Sequence, residues 1–75
     1  MKEIVEVIAR SIVDNPDQVE VSEERGQKSV RIKLSVAEED MGKVIGRQGR
    51  IARAIRTVVK AAATKANKKA ILDIE

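Results

Sequence analysis

The spacing of apolar residues changes along the chain, and this spacing predicts the secondary structure. Over residues 2–14 apolar side chains recur every three to four positions, as on one face of a helix, and Pro16 ends the pattern. Residues 18–24 and 28–36 instead alternate apolar and polar side chains, as do strands with one buried face. Residues 25–27 contain a glycine and predict a hairpin turn between the two strands.

The second half of the chain predicts two more helices and a last strand. Three acids at 38–40 stand where the first turn of a helix favours negative charge, and the short helix that follows ends at Gly46. Carboxylates also bind hard cations, so a metal site at these acids is the alternative. A longer helix follows from Gly49 or Arg50 to about Ala66, and residues 70–75 form a strand. The order is αββααβ, an α+β fold in one domain of residues 1–75.

The longer helix has an apolar side and a basic side. Its expected apolar stripe consists of Ile51, Ile55, Val58, Val59 and Ala62, with Ala54 and Ala66 at the flanks. Its expected basic stripe consists of Arg53, Arg56 and Lys60. An ordinary solvated helix face is the alternative for that basic stripe.

Composition excludes several classes of function. The 75 residues contain no Phe, Tyr or Trp, so recognition domains that stack bases on aromatic rings are excluded. The absence of His and Cys excludes zinc sites with nitrogen or sulfur ligands and the common nucleophile systems. No residue pair suggests acid–base catalysis and no nucleotide-binding signature is present, so we expect no enzyme, cofactor or small-molecule substrate. With no leader and no apolar run of about 18 residues, a cytoplasmic protein without membrane association is expected.

Charge is unevenly distributed along the chain. Residues 1–40 carry six basic and ten acidic side chains, whereas residues 41–69 carry nine basic side chains and no acid. A positive field confined to one surface steers polyanions to that surface. The basic segment therefore indicates nucleic acid as the partner.

A glycine-framed loop lies within this basic segment. Gly46 and Gly49 lack a β-carbon, so a sugar-phosphate backbone can approach the main chain there. Free N–H groups at the start of the following helix favour an anion. Arg47 and Gln48 stand at the tip as hydrogen-bond donors to phosphate. The flanking cations Lys43, Arg50 and Arg53 extend the positive field. A simple helix end followed by a turn is the alternative for the two glycines.

The segment VIGRQG, set between two helices in an αββααβ order, resembles the type II KH domain. The longer string DMGKVIGRQGRIARAIRTVVKAAA resembles the small single-domain bacterial KH proteins of the KhpA (YlqC) family. The resemblance implies three helices packed on a three-stranded mixed sheet. It also implies a loop that clamps about four nucleotides of single-stranded RNA. The corresponding RNA-binding positions are Gly46, Arg47, Gln48 and Gly49, preceded by Val44 and Ile45, with Ile55 as an aliphatic groove residue.

The resemblance also implies partners and a role. With only about four nucleotides engaged, affinity is expected to be modest, so a second KH surface would help by avidity. We therefore expect a homodimer, or a heterodimer with a larger KH-containing protein of the KhpB/Jag/EloR type. The expected role is that of a small RNA chaperone or post-transcriptional regulator.

Two other functions stay open at this point. A helix-turn-helix-like DNA binder would use residues 50–66 as its recognition helix. However, the exposed side of that helix is mostly Arg and Lys rather than base-reading amides and hydroxyls. A protein-interaction module would use the alanine-rich segment 61–66, and this role is compatible with RNA binding.

Overall fold

The computed structural model describes all residues from 1 to 75 and contains the six predicted elements in the predicted order. They are α1 (Lys2–Ile12), β1 (Glu20–Arg25), β2 (Ser29–Ser35), α2 (Met41–Ile45), α3 (Arg50–Lys65) and β3 (Lys69–Ile74). Single turns of 3-10 helix link some of them, at Pro16–Gln18, Glu38–Asp40 and Arg47–Gly49.

The sheet is mixed, with β2 at its centre and β1 and β3 as its two edges. β1 runs antiparallel to β2, with Val21 opposite Leu34. β3 runs parallel to β2, with Leu72 opposite Ile32. A parallel pair requires a long crossover, which α2 and α3 provide. The α+β fold of three helices and a three-stranded mixed sheet is thus confirmed.

The core forms between the helices and one face of the sheet. The apolar side chains of β2, at Val30, Ile32 and Leu34, are fully buried. They lie in one cluster with Val5 and Ala9 of α1, Ile55 and Val59 of α3, and Leu72 of β3. Burying a side chain of this size is worth about 1.5–3 kcal/mol, so these positions stabilise the layer arrangement strongly.

The ends of α1 and β1 differ from the prediction by about two residues. α1 ends at Ile12 rather than at residue 14, because Val13 is extended, with φ −94° and ψ 159°. β1 begins at Glu20 rather than at residue 18, because the preceding turn of 3-10 helix continues to Gln18. That turn is closed by a hydrogen bond from the Val19 N–H to the Pro16 carbonyl, 3.2 Å.

The apolar stripe predicted for α3 is confirmed in part, since Ile55 and Val59 are buried and Ile51 packs against the core. The buried residues of α3 are Ala52, Ile55, Val59 and Ala63. Val58 is 41% exposed instead, since it lies about 100° around the helix from Val59. The buried Ala52 and Ala63 were not part of the predicted stripe, and α3 packs against β3.

None of the helices has both the length and the apolar character needed to cross a membrane.

Candidate nucleic-acid interface

The loop between α2 and α3 has a backbone that few side chains can adopt. Gly46, Gln48 and Gly49 have φ angles of +75°, +57° and +73°. A β-carbon placed on Gly46 would lie 2.7 Å from Cγ1 and 2.9 Å from Cβ of Ile51, which are clashing distances. A β-carbon on Gly49 would meet only the Arg53 guanidinium, at 4.0 Å. Gly46 is therefore required both by its φ angle and by close packing, and Gly49 by its φ angle alone.

Intramolecular hydrogen bonds stabilise the conformation of this loop. The Gly46 N–H donates to the Gly42 carbonyl at 2.9 Å and ends α2, and the Gly49 N–H donates to the Gly46 carbonyl at 3.1 Å. The Arg53 guanidinium reaches back from α3 and donates to the Gln48 carbonyl at 2.8 Å. Arg53 was predicted to extend the positive field, and the structure additionally makes it a support for the loop.

The predicted contact residues at the tip stay open to solvent. Arg47, Gln48 and Arg50 are exposed, and neither Arg47 nor Arg50 forms an ion pair within the chain. Their charges are therefore free to pair with a ligand's phosphates.

The apolar residues predicted for the site fall into two groups. Ile45 is 39% exposed and lies immediately before Gly46. Val44 is fully buried, so its side chain packs inside the protein and cannot contact a ligand. The expectation that Ile55 lines a groove is wrong, because this side chain is 2% exposed and belongs to the core cluster.

Lys43 has a partner that the sequence did not predict. Its ammonium group donates to the Asp14 carboxylate, which belongs to the segment after α1. This hydrogen bond raises the pKa of Lys43, and the negative charges of Asp14 and Asp40 act in the same direction. No periodicity or motif links positions 29 residues apart, so only the folded arrangement shows the pair.

Asp40 also has a role that the sequence did not predict. Its side chain is fully buried and accepts hydrogen bonds from the backbone N–H groups of Asp14 at 3.1 Å and Asn15 at 3.0 Å. The Asn15 side-chain amide adds a third bond at 3.0 Å. Burial acts to raise the pKa of Asp40, but these three bonds outweigh it and hold the pKa below its usual value. Asp40 stands at the start of α2, as the sequence predicts, and its carboxylate additionally joins the segment after α1 to this helix.

The basic side of α3 continues the positive surface away from the loop. Arg53, Arg56 and Lys60 are exposed, lie three to four positions apart on one flank, and have no carboxylate neighbour on their own helix. β3, which packs under α3, is an edge strand, so one row of its backbone N–H and C=O groups has no partner strand.

The chemistry available here is that of an open, positively charged surface. No group of three or more Asp, Glu, His or Cys side chains is arranged to hold a metal ion. No loop residue lines either of the two surface depressions in the structure. Free guanidinium groups, exposed main chain and a neighbouring apolar side chain suit an extended polyanion.

Comparison with known proteins agrees with this geometry. A family model described as "KhpA/KhpB, KH domain" matches residues 2–74. The chain is 62% identical to RNA-binding protein KhpA of Clostridium perfringens over 74 residues, which cover 99% of each chain. It is 61% identical to the KhpA of Clostridium acetobutylicum, again over 99% of each chain. It is 50% identical to the KhpA of Aquifex aeolicus, over 99% of this chain and 94% of that one. No solved structure gives a significant match.

Proposed function

Because the chain belongs to the KhpA/KhpB family of KH-domain proteins, we propose that it binds single-stranded RNA through the loop Gly46–Gly49. One observation carries this proposal. At Gly46 the chain turns so that Arg47 and Gln48 form an exposed tip. Only glycine fits there, because a β-carbon would clash with the Ile51 side chain. Such a tip can approach a sugar-phosphate chain closely and donate hydrogen bonds to its oxygens.

The residues around the loop have distinct roles in this proposal. Arg47, Gln48 and Arg50 bind phosphate oxygens, which positions the strand but carries no sequence information. Arg53 keeps the loop in shape through the Gln48 carbonyl. Ile45 contributes apolar surface to a base, and the free backbone edge of β3 contributes hydrogen-bonding groups. Because aromatic side chains are absent, base selection rests on these groups rather than on stacking.

A second, apolar surface is proposed to bind a protein partner. The four large apolar side chains that are exposed, Ile4, Val7, Ile45 and Val58, all lie in the helices. We propose that Val58 of α3 and the exposed apolar side chains of α1 contact a second copy of the chain or a larger KH protein of the KhpB type. Two loops on one assembly raise the affinity for one RNA by avidity. In this form the protein acts as a cytoplasmic RNA chaperone or post-transcriptional regulator.

Direct titration tests the RNA-binding proposal. A labelled single-stranded RNA and a duplex DNA of the same length are each titrated with the protein at about 0.15 M salt, with anisotropy as the readout. The label belongs on the nucleic acid, because the protein has no Trp or Tyr. We expect clear preference for the RNA and an affinity that falls as salt rises. Absence of RNA binding, or preference for the duplex, would refute the proposal, and the second result would favour a helix-turn-helix-like DNA binder.

A further inference from the structure

The positive charge that precedes the loop on α2 is already paired. Lys43 lies one helical turn before Gly46, on the same side of α2, and its ammonium group is bound by the Asp14 carboxylate. We propose that Asp14 competes with RNA phosphate for Lys43 and thereby lowers the affinity of the loop for RNA. This inference rests on the proposed function.

The backbone of Asp14 is held beside α2 by hydrogen bonds to a buried carboxylate. The Asp40 carboxylate, which precedes α2, accepts hydrogen bonds from the backbone N–H groups of Asp14 and Asn15. The Asn15 side-chain amide donates both to Asp40 at 3.0 Å and to Glu39 at 3.1 Å. The segment after α1 is thus fixed against the base of α2. An intramolecular carboxylate held in this way has a high effective concentration at the ammonium group.

The pair is exposed enough to be exchanged for a phosphate. The side chains of Lys43 and Asp14 are 44% and 75% exposed, so phosphate can reach the ammonium group from solvent. Ion pairs this exposed change an equilibrium by only about two- to fivefold. Asp14 therefore weakens the contribution of Lys43 without preventing it, whereas Arg47 and Arg50 have no internal competitor.

The variant Asp14→Asn tests the proposal by removing the competing charge. We expect it to bind labelled single-stranded RNA about two- to fivefold more tightly at low salt. The slope of log affinity against log salt becomes steeper by about 0.7, since one more phosphate is neutralised by a free cation.

The control is Asp17→Asn, which removes the same charge from an exposed acid three residues away that has no ion pair. It is expected to tighten binding less than Asp14→Asn does. In a Lys43→Gln background, Asp14→Asn is expected to match Asp17→Asn. Far-UV circular dichroism verifies folding, and Asp14→Ser provides a second variant with the same expectation.

The outcomes separate this inference from the proposed function. If the unmodified protein binds RNA and Asp14→Asn binds no more tightly than Asp17→Asn, the competition is refuted and the proposed function stands. The competition is also refuted if the gain persists in the Lys43→Gln background. If the unmodified protein does not bind RNA, the proposed function fails and the inference fails with it.

Discussion

At the scale of single residues, the two glycines of the loop are required for different physical reasons. Gly46 combines a φ of +75° with Ile51 packed against the place where a β-carbon would stand. Gly49 has a φ of +73° and open space around it. The sequence predicts both glycines as loop positions, because glycine is the usual residue where φ is positive. It does not predict their difference, which depends on the packing of Ile51.

Substituting each glycine by alanine separates the effect of the positive φ angle from the effect of packing against Ile51. Gly49→Ala is expected to lower the free energy of unfolding by about 1 kcal/mol, the usual penalty for a left-handed non-glycine residue. Gly46→Ala is expected to cost roughly 2–4 kcal/mol, because Ile51 must also shift, and to weaken RNA binding in the fraction that stays folded. Urea unfolding followed by circular dichroism measures both. An equal or smaller loss for Gly46→Ala would show that Ile51 does not restrict this position.

Charged residues show where prediction from sequence stops. Arg47, Gln48 and Arg50 are predicted by a local motif and lie exposed at the loop, as that motif indicates. Lys43 belongs to the same motif, yet its carboxylate partner lies 29 residues earlier in the chain. A sequence motif describes local chain geometry, so it cannot predict an ion pair between residues that only tertiary folding brings together.

At the scale of elements, α3 has one packed face and two exposed flanks, one that is basic and one that contains Val58. The predicted stripe matches only part of its buried face: Ile55 and Val59 are buried, whereas Val58 is exposed, and Val58 and Ala62 are as apolar as the residues that are buried. An excess of apolar residues on a helix leaves its rotation undetermined by periodicity alone. The surplus leaves Val58 at the surface, where it is available to the proposed partner.

The partner surface predicts a specific effect on assembly. Val58→Glu is expected to convert the proposed dimer to a monomer, because a carboxylate cannot be buried unpaired in an apolar interface. Thr57→Glu adds the same charge one residue away at an exposed position and should leave the dimer intact. Sedimentation velocity with interference optics measures the mass of both variants. Identical masses for the two variants, or a monomeric unmodified protein at all concentrations, would contradict the assignment of this surface.

At the scale of the whole molecule, the order of the six elements was predictable because each has its own apolar period and its own terminating residues. β2 has the clearest alternation and occupies the centre of the sheet. The boundaries near Val13 and Val19 were not predictable to the residue. A buried carboxylate and a turn of 3-10 helix determine them, and neither follows from periodicity.

The same overall arrangement places two exposed turns far from each other. The loop follows the C-terminal end of β2, whereas the hairpin at residues 26–28 precedes its N-terminal end. These two exposed turns therefore lie at opposite ends of the sheet. Both contain a glutamine next to a basic residue, Gln48 with Arg47 and Gln27 with Lys28. The hairpin can therefore serve as a control for the effect of a charge change at the loop.

The most direct test compares the RNA affinity of two double variants that change net charge equally. Arg47→Asp with Gln48→Asp places negative charge at the loop tip, and Asp tolerates the positive φ of position 48. Gln27→Asp with Lys28→Asp makes the same change at the hairpin. We predict that the loop variant loses RNA binding by at least about a hundredfold with unchanged circular dichroism, and that the hairpin variant loses far less. Equal losses in the two folded variants would show that the loop is not the RNA-binding site.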